Sequence, residues 1–160
     1  MSSQEAPNAP HVLVGVDGSP NSIKALRAAL QEAAWRGVEV HALNAWSYPV
    51  VYGMGGAATG YAVDVAAIEQ SASAALDQAI VTACPNEPER STIRRFVVSG
   101  SASESLIEES RKADLLVVGA RGHGGFLGLL LGSVSSQVVK HAHCPVLVVP
   151  PAEVRTTSDV

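Results

Sequence analysis

The chain has 160 residues, of which 47% are apolar, 16% charged and 4% aromatic, with a formal net charge of −4. That length and apolar share suit one domain with a full core and exclude bulk disorder. The acidic balance and the lack of any Lys/Arg block exclude a sequence-independent grip on nucleic acid, which needs a basic surface.

No segment is long and apolar enough to span a bilayer. The opening residues MSSQEAPNAP lack the basic start and apolar centre of a secretory signal. The expectation is a cytoplasmic chain with no membrane partner. It would consist of one domain over residues 11–150 between disordered tails at 1–10 and 151–160. Cys84 and Cys144 lie far apart and in no C-x-x-C pattern, which reads as two buried thiols in a reducing compartment.

Strand-like and helix-like stretches alternate along the chain. HVLVGVD, residues 11–17, is a short apolar run ending in a turn, so a buried strand is expected. Ser19 then suits an N-cap and Pro20 a first helical residue. Ile23, Leu26, Leu30 and Ala33 repeat at helical spacing, and Gly37 closes the helix. A second strand is expected over 38–45 and a Gly-rich loop over 46–60. A second helix follows with Val65, Ile68, Ala72, Ala75, Ala79 and Ala83 on one face; Pro85 and Pro88 end it.

A third strand is expected over 92–98, a helix over 103–112 and a fourth strand over 114–119. A Gly- and Leu-rich loop over 120–132 leads to a helix over 133–141. The last strand runs from Cys144 to Val149. This alternation predicts an α/β fold: one doubly wound, mainly parallel, Rossmann-like sheet of five strands with about four helices and right-handed crossovers. Ligands of such sheets bind beyond the carboxyl ends of the strands, where the strand order reverses. The residues just after each strand are therefore the ones that matter.

The strongest of these segments is GARGHGGFLGLLLGS, residues 119–133. Phosphate oxygens need close backbone approach, which glycine permits, and N–H donors converging on one point, which a helix N-terminus supplies with partial positive charge. Ser133 adds a hydroxyl there, and Ser135 and Ser136 fall in the first turn. The alternative is a loop that uses glycine for turns and Ser133 as an ordinary N-cap. No Lys precedes Ser133, so this is not a Walker A loop.

The spacing Gly119-x2-Gly122-x9-Gly132-Ser133 resembles the nucleotide motif of the universal stress protein family, in the branch that binds ATP. VLVGVDGSPNSIKAL, ADLLVVGARG and HCPVLVVP resemble it too, so the likeness covers about residues 11–150. It implies strand order 3-2-1-4-5, which sets Asp17 and Gly119 on adjacent strands. It also implies an adenine nucleotide, ATP with or without Mg, as ligand. Asp17 matches a position that contacts the nucleoside, and Ala45 one whose backbone faces the adenine edge. Gly119, Gly122, Gly132 and Ser133 match ribose- and phosphate-binding positions, with Val134 and Ser135 beside them. In family members the last strand commonly pairs with its twofold mate, which implies a homodimer through the strand from Cys144 to Val149.

Several residues admit two readings. Asp17 contacts a nucleoside or metal, or only caps Gly18 and Ser19. Arg121 neutralises a phosphate or is a solvated tip charge. His123 reads as exposed rather than as a ligand or base. One of Trp46 and Tyr48 lines the adenine pocket, or both pack under the long loop. Phe126, Leu127, Leu129, Leu130 and Leu131 fold over the core or meet a partner. His141, His143 and Cys144 straddle a helix-to-strand change, so their side chains should diverge rather than hold a metal. With no assured base or charge clamp, no catalytic residue is assigned. The expected role is a nucleotide-binding regulator of the stress response and not an enzyme. The other readings are a slow ATPase or phosphotransferase, a cAMP-binding variant and a nucleotide-free interaction module.

Overall fold

The computed structural model describes residues 9–47, 64–123 and 130–152. Its elements in chain order are β1 (His11–Gly15), α1 (Pro20–Arg36), β2 (Glu39–Trp46), α2 (Val65–Ala83), α3 (Glu87–Arg90), β3 (Ile93–Ser99), α4 (Ala102–Glu109), β4 (Leu115–Gly119), α5 (Ser133–His141) and β5 (Val146–Val149). The strands form one sheet in the order β3-β2-β1-β4-β5, and every neighbouring pair is parallel. The chain moves outward from β1 in one direction, then crosses back to place β4 on its other side. The order reverses between β1 and β4, and a crevice opens past their carboxyl ends.

Side chains alternate along each strand, so the sheet carries two cores. Val12, Val14, Val40, Ala42 and Val117 face α1 and α2. Leu13, Leu43, Leu116 and Val118 face α4 and α5. Ala25, Ala29 and Ala33 are buried on α1; small side chains let this helix lie close to the strands. Ser19 caps α1 by accepting the Ser22 N–H, Pro20 opens it, and Gly37 ends it at φ 67°, in the left-handed region glycine favours.

Four local expectations change. A one-turn helix, α3, follows Pro85, because Pro88 sits in its first turn, where a missing N–H breaks no helical bond. α4 begins at Ala102 with Ser101 as its cap. β5 is shorter than expected: Pro145 has no N–H for the ladder and only its carbonyl serves, accepting from Leu116 N–H at 3.0 Å. On α2 only Leu76, Ala79, Ile80 and Ala83 are buried. Its first half, with Ile68, Ala72 and Ala75, borders a groove of about 480 Å³ beside the end of β2. Tyr48, Phe126, Leu127 and Leu129, both tails beyond 9–152 and most of the loop over 46–60 lie outside the described residues.

At the opposite end of the strands from the crevice, His11 and His41 stack with centroids 3.8 Å apart and planes 17° from parallel. Burial, His11 and Arg94 push the His41 imidazole down to about 4, against the upward pull of Glu39. A folded value below the ordinary 6.5 has a definite sign: as the pH falls below it, the unfolded chain takes up a proton that the folded chain refuses until about pH 4. Stability should therefore fall across that window. The melting temperature of wild type should drop on acidification from pH 6.5 to pH 4, and His41→Gln should flatten the drop. An equal drop in the variant would place its source elsewhere.

Candidate functional site

A cleft of about 340 Å³ lies at the reversal point, past the carboxyl ends of β1 and β4. Asp17, Ala45, Gly119, Arg121, Gly122, Gly132, Ser133, Val134 and Ser135 all line it, so the fold brings every residue that the sequence pointed to as nucleotide-binding to one surface. Leu43, Leu106 and Val118 make an apolar floor. Gly15 leaves room for it, since a Cβ there would stand 2.9 Å from Leu106 Cδ1. Leu43 and Leu106 carry no motif; only their burial in the fold reveals them.

The β2 side of the cleft presents backbone. Leu43 C=O accepts from Val16 N–H at 2.9 Å, and the β1–β2 ladder stops at Gly15–Leu43. Ala45, two residues on, turns its N–H and C=O to the same side of β2, where β1 has already left the sheet. No described residue takes them. They form a donor–acceptor pair of the kind a purine edge satisfies.

The α5 side presents the first turn of a helix. Gly132 is the N-cap, and Ser133 is the first helical residue, not the cap. Gly132 N–H donates to Ala120 C=O at 2.7 Å, and Ser135 Oγ–H bonds the same carbonyl at 2.9 Å. Ser136 N–H closes the first turn on Gly132 C=O. The N–H groups of Ser133, Val134 and Ser135 have no acceptor among the described residues. Three such groups, with the positive end of the helix dipole, are a donor set that an anion can satisfy.

Between these two sides stands Asp17. One carboxylate oxygen accepts from Ser19 N–H at 2.9 Å, the other from His123 N–H at 3.1 Å. His123 Nε2 lies 3.1 Å from the Asp17 carbonyl oxygen, so that nitrogen carries the proton. Burial raises the Asp17 pKa, but hydrogen bonds from Ser19, Ser22 and His123 outweigh it and leave the group below the ordinary carboxylate value. Asp17 thus does serve as a local cap, and it also ties the β1 turn to the glycine loop. His123 is exposed, as expected, yet it lines the cleft and holds Asp17.

Gly119 and Gly122 serve as small residues, and none of Gly119, Gly122 and Gly132 is a turn residue: among the described glycines only Gly18, Gly37 and Gly100 have positive φ. A Cβ on Gly122 would stand 2.5 Å from Asp17 Oδ2, and one on Gly119 would stand 3.0 Å from Asn21 Cγ and Oδ1. A Cβ on Gly132 would meet nothing closer than 3.6 Å.

The remaining sequence candidates stay apart. His143 N–H donates to Ser110 Oγ, and Cys144 is half-buried in the core beneath α5. Among the described residues no group of three or more His, Cys, Asp or Glu is placed to hold a metal ion. Burial raises both thiol pKa values. Leu130 is 90% exposed, so it does not fold over the core. No helix of the described residues is long and apolar enough to cross a membrane.

The model of the universal stress protein family matches residues 9–150. The chain belongs to the universal stress protein family. It is 39% identical over 137 residues to Universal stress protein Rv2005c of Mycobacterium tuberculosis, covering 86% of this chain and 44% of that one. It is 38% identical over 145 residues to Universal stress protein Rv2623 of the same organism, covering 91% and 45%. The chain thus spans less than half the length of these relatives. Among solved structures, a universal stress protein in complex with cAMP is 28% identical, with a TM-score of 0.56, over 91% of this chain and 99% of that one. A universal stress protein from Lactobacillus plantarum, 22% identical with a TM-score of 0.61 over 90% and 99%, shares the fold.

The positions of Gly122 and Ser133 have opposite consequences for stability without ligand. Gly122→Val should displace the Asp17 carboxylate and cost about 1 kcal/mol or more through the lost hydrogen bonds. Ser133→Ala should stay within about 0.5 kcal/mol of wild type, since no cap is removed. Denaturant unfolding of the two apo variants checks this; the reverse ranking would contradict the assigned roles.

Proposed function

We propose that this universal stress protein binds an adenine nucleotide, ATP, in the cleft between β1 and β4, and acts in the stress response as a nucleotide-responsive regulator. The observation that carries the reading is the pairing of two unsatisfied backbone sets across one apolar floor. The peptide groups of Ala45 suit the edge of a base. The N–H groups of Ser133, Val134 and Ser135 suit phosphate oxygens. Asp17 and Gly119 lie between them, where a ribose would sit. The relative solved with cAMP supports an adenosine phosphate as the class of ligand. Arg121 lines the same cleft and adds positive charge near the phosphates.

Mg fits this cleft only as a passenger. Asp17 is the single carboxylate among the described lining residues, and its oxygens already accept from Ser19 and His123. A cation would come with the nucleotide, held by its phosphates, and would neutralise their charge.

Phosphoryl transfer needs charge clamps and a positioned nucleophile. Beside its backbone donors and Arg121, the described lining offers one engaged carboxylate, the His123 imidazole bonded to the Asp17 carbonyl, and the hydroxyls of Ser22, Ser133 and Ser135, of which those of Ser22 and Ser135 are committed to the Ser19 and Ala120 carbonyls. ATP turnover should stay well below about 1 per second, the lower end of the usual enzyme range. A faster rate that a Gly119 variant abolishes would make the protein an enzyme.

The two sheet edges differ. β3 carries Arg94 and Arg95, paired with Glu39 and Asp77, and such charges deter edge-to-edge pairing. β5, VLVV, carries none. A homodimer through β5 follows, and light scattering at micromolar concentration should give twice the chain mass; a monomer would remove it.

Ser133→Pro tests the phosphate site with little damage to the fold. Proline suits the first helical position, and Gly132 before it already has φ −72° and ψ 173°, the extended conformation that precedes proline. The substitution removes one N–H donor to the anion. By calorimetry, wild type should bind ATP, Ser133→Ala should bind nearly as well, and Ser133→Pro should lose about tenfold or more, the worth of one charge-assisted bond. A wild type that binds no adenine nucleotide refutes the reading. A proline variant that binds like wild type moves the phosphates away from α5.

A further inference from the structure

Asn21 lies in the first turn of α1 and is 9% exposed. Its side chain makes two long-range bonds. Nδ2–H donates to Val149 C=O at 3.0 Å, and Oδ1 accepts from Arg121 N–H at 2.9 Å. One carboxamide therefore joins α1, the end of the edge strand β5 and the start of the glycine loop. Val149 C=O also accepts from Ala120 N–H at 2.8 Å, so Ala120 and Arg121 are fixed from two directions at once.

We propose that Asn21 is the positioning residue of the glycine loop, and that Gly119 is glycine chiefly to admit the Asn21 carboxamide. A Cβ on Gly119 would stand 3.0 Å from Asn21 Cγ and Oδ1 and 3.1 Å from its backbone carbon, so the Asn21 carboxamide and the backbone behind it would have to give by a few tenths of an ångström. The first glycine of the motif thus answers to a protein side chain on its own side of the loop. The consequence reaches the ligand through Ala120. Its carbonyl accepts from Gly132 N–H and Ser135 Oγ–H, so it sets where α5 begins and where the N–H groups of Ser133, Val134 and Ser135 point. Asn21 does not line the cleft. It acts chiefly on the phosphate end, since Ala45 and Leu43 lie on β2 and Leu106 on α4, none of which Asn21 touches through its side-chain bonds.

The role rests on the nucleotide reading for its ligand but not for its geometry, and the two can fail separately. Full-length wild type, Asn21→Ala, Asn21→Leu and Gly119→Ala are compared by amide hydrogen exchange without ligand and by calorimetry with ATP and with adenosine. Asn21→Ala should raise the exchange rate of the Arg121 amide by about tenfold or more, as loss of one buried bond implies. It should weaken ATP by about tenfold or more while adenosine stays within about twofold, a split that general loosening of the fold would not produce. Asn21→Leu keeps the bulk and should act alike; if it fails to fold, Asn21→Ala carries the test. Gly119→Ala should speed Arg121 exchange in the apo protein, where a glycine needed only for phosphate would change nothing.

Unchanged Arg121 exchange in Asn21→Ala overturns the role whether or not nucleotide binds. So does faster exchange with an unchanged ATP-to-adenosine ratio. Slow exchange in Gly119→Ala overturns the reason given for that glycine. A wild type that binds neither ligand sinks the nucleotide reading and the ligand arm of this role together, and leaves the exchange arm to decide the Asn21 restraint.

Discussion

The peptide groups of Ala120, one residue past β4, hold the ends of the site together. Its N–H reaches Val149 at the end of β5, and its C=O collects Gly132 N–H and the Ser135 hydroxyl at the start of α5. A buried peptide that leaves a strand must find partners elsewhere or lose about 1–3 kcal/mol per unmet group. Here it finds them in the two elements that follow in sequence, so the chain returns after the glycine loop to the point where it left. That closure aims the α5 N-terminus into the crevice, not into solvent.

The reversal of strand order follows from the same backbone logic at a larger scale. Parallel strands with right-handed crossovers can cover both faces of a sheet only if the chain reverses direction once. The reversal leaves β1 with neighbours that outrun it. Ala45 on β2 and the loop after β4 both extend past Gly15. Unpaired backbone is costly in a core and useful at its rim, where a ligand can satisfy it. The cleft is the place where the sheet runs out of its own partners.

The sequence made the architecture legible because strand, cap and breaker signals agreed with one another. Short apolar runs marked β1 and β4, Ser19-Pro20 and Gly37 bracketed α1, and the spacing of glycines marked the anion loop. What it hid were relations between distant residues. α2 keeps its apolar period throughout, yet only the half that lies over the sheet is buried, because periodicity reports a face and not what covers it. Ser133 has cap chemistry but stands one residue inside the helix, since Gly132 already has the extended φ and ψ of a cap. The partners of Asn21 lie 100 and 128 positions away, and no local pattern points to them. His123 reads from the sequence only as exposed, and its bond to Asp17 spans 106 positions.

Under the proposed nucleotide reading, the charge balance in the cleft bears on what Asp17 could do. Asp17 is an anion placed within reach of a site that favours anions, and its depressed pKa keeps it charged at neutral pH. A phosphate entering beside it meets attraction from α5 and repulsion from the carboxylate. The balance is tolerable only while Ser19, Ser22 and His123 continue to satisfy that carboxylate, which holds it against the β1 turn and the glycine loop. A general base must instead be free to take a proton, and one tied down by several donors is a poor candidate. The same hydrogen bonds that let Asp17 coexist with a bound phosphate therefore disable it as a base. In this cleft, tighter organisation of the site and faster chemistry pull in opposite directions.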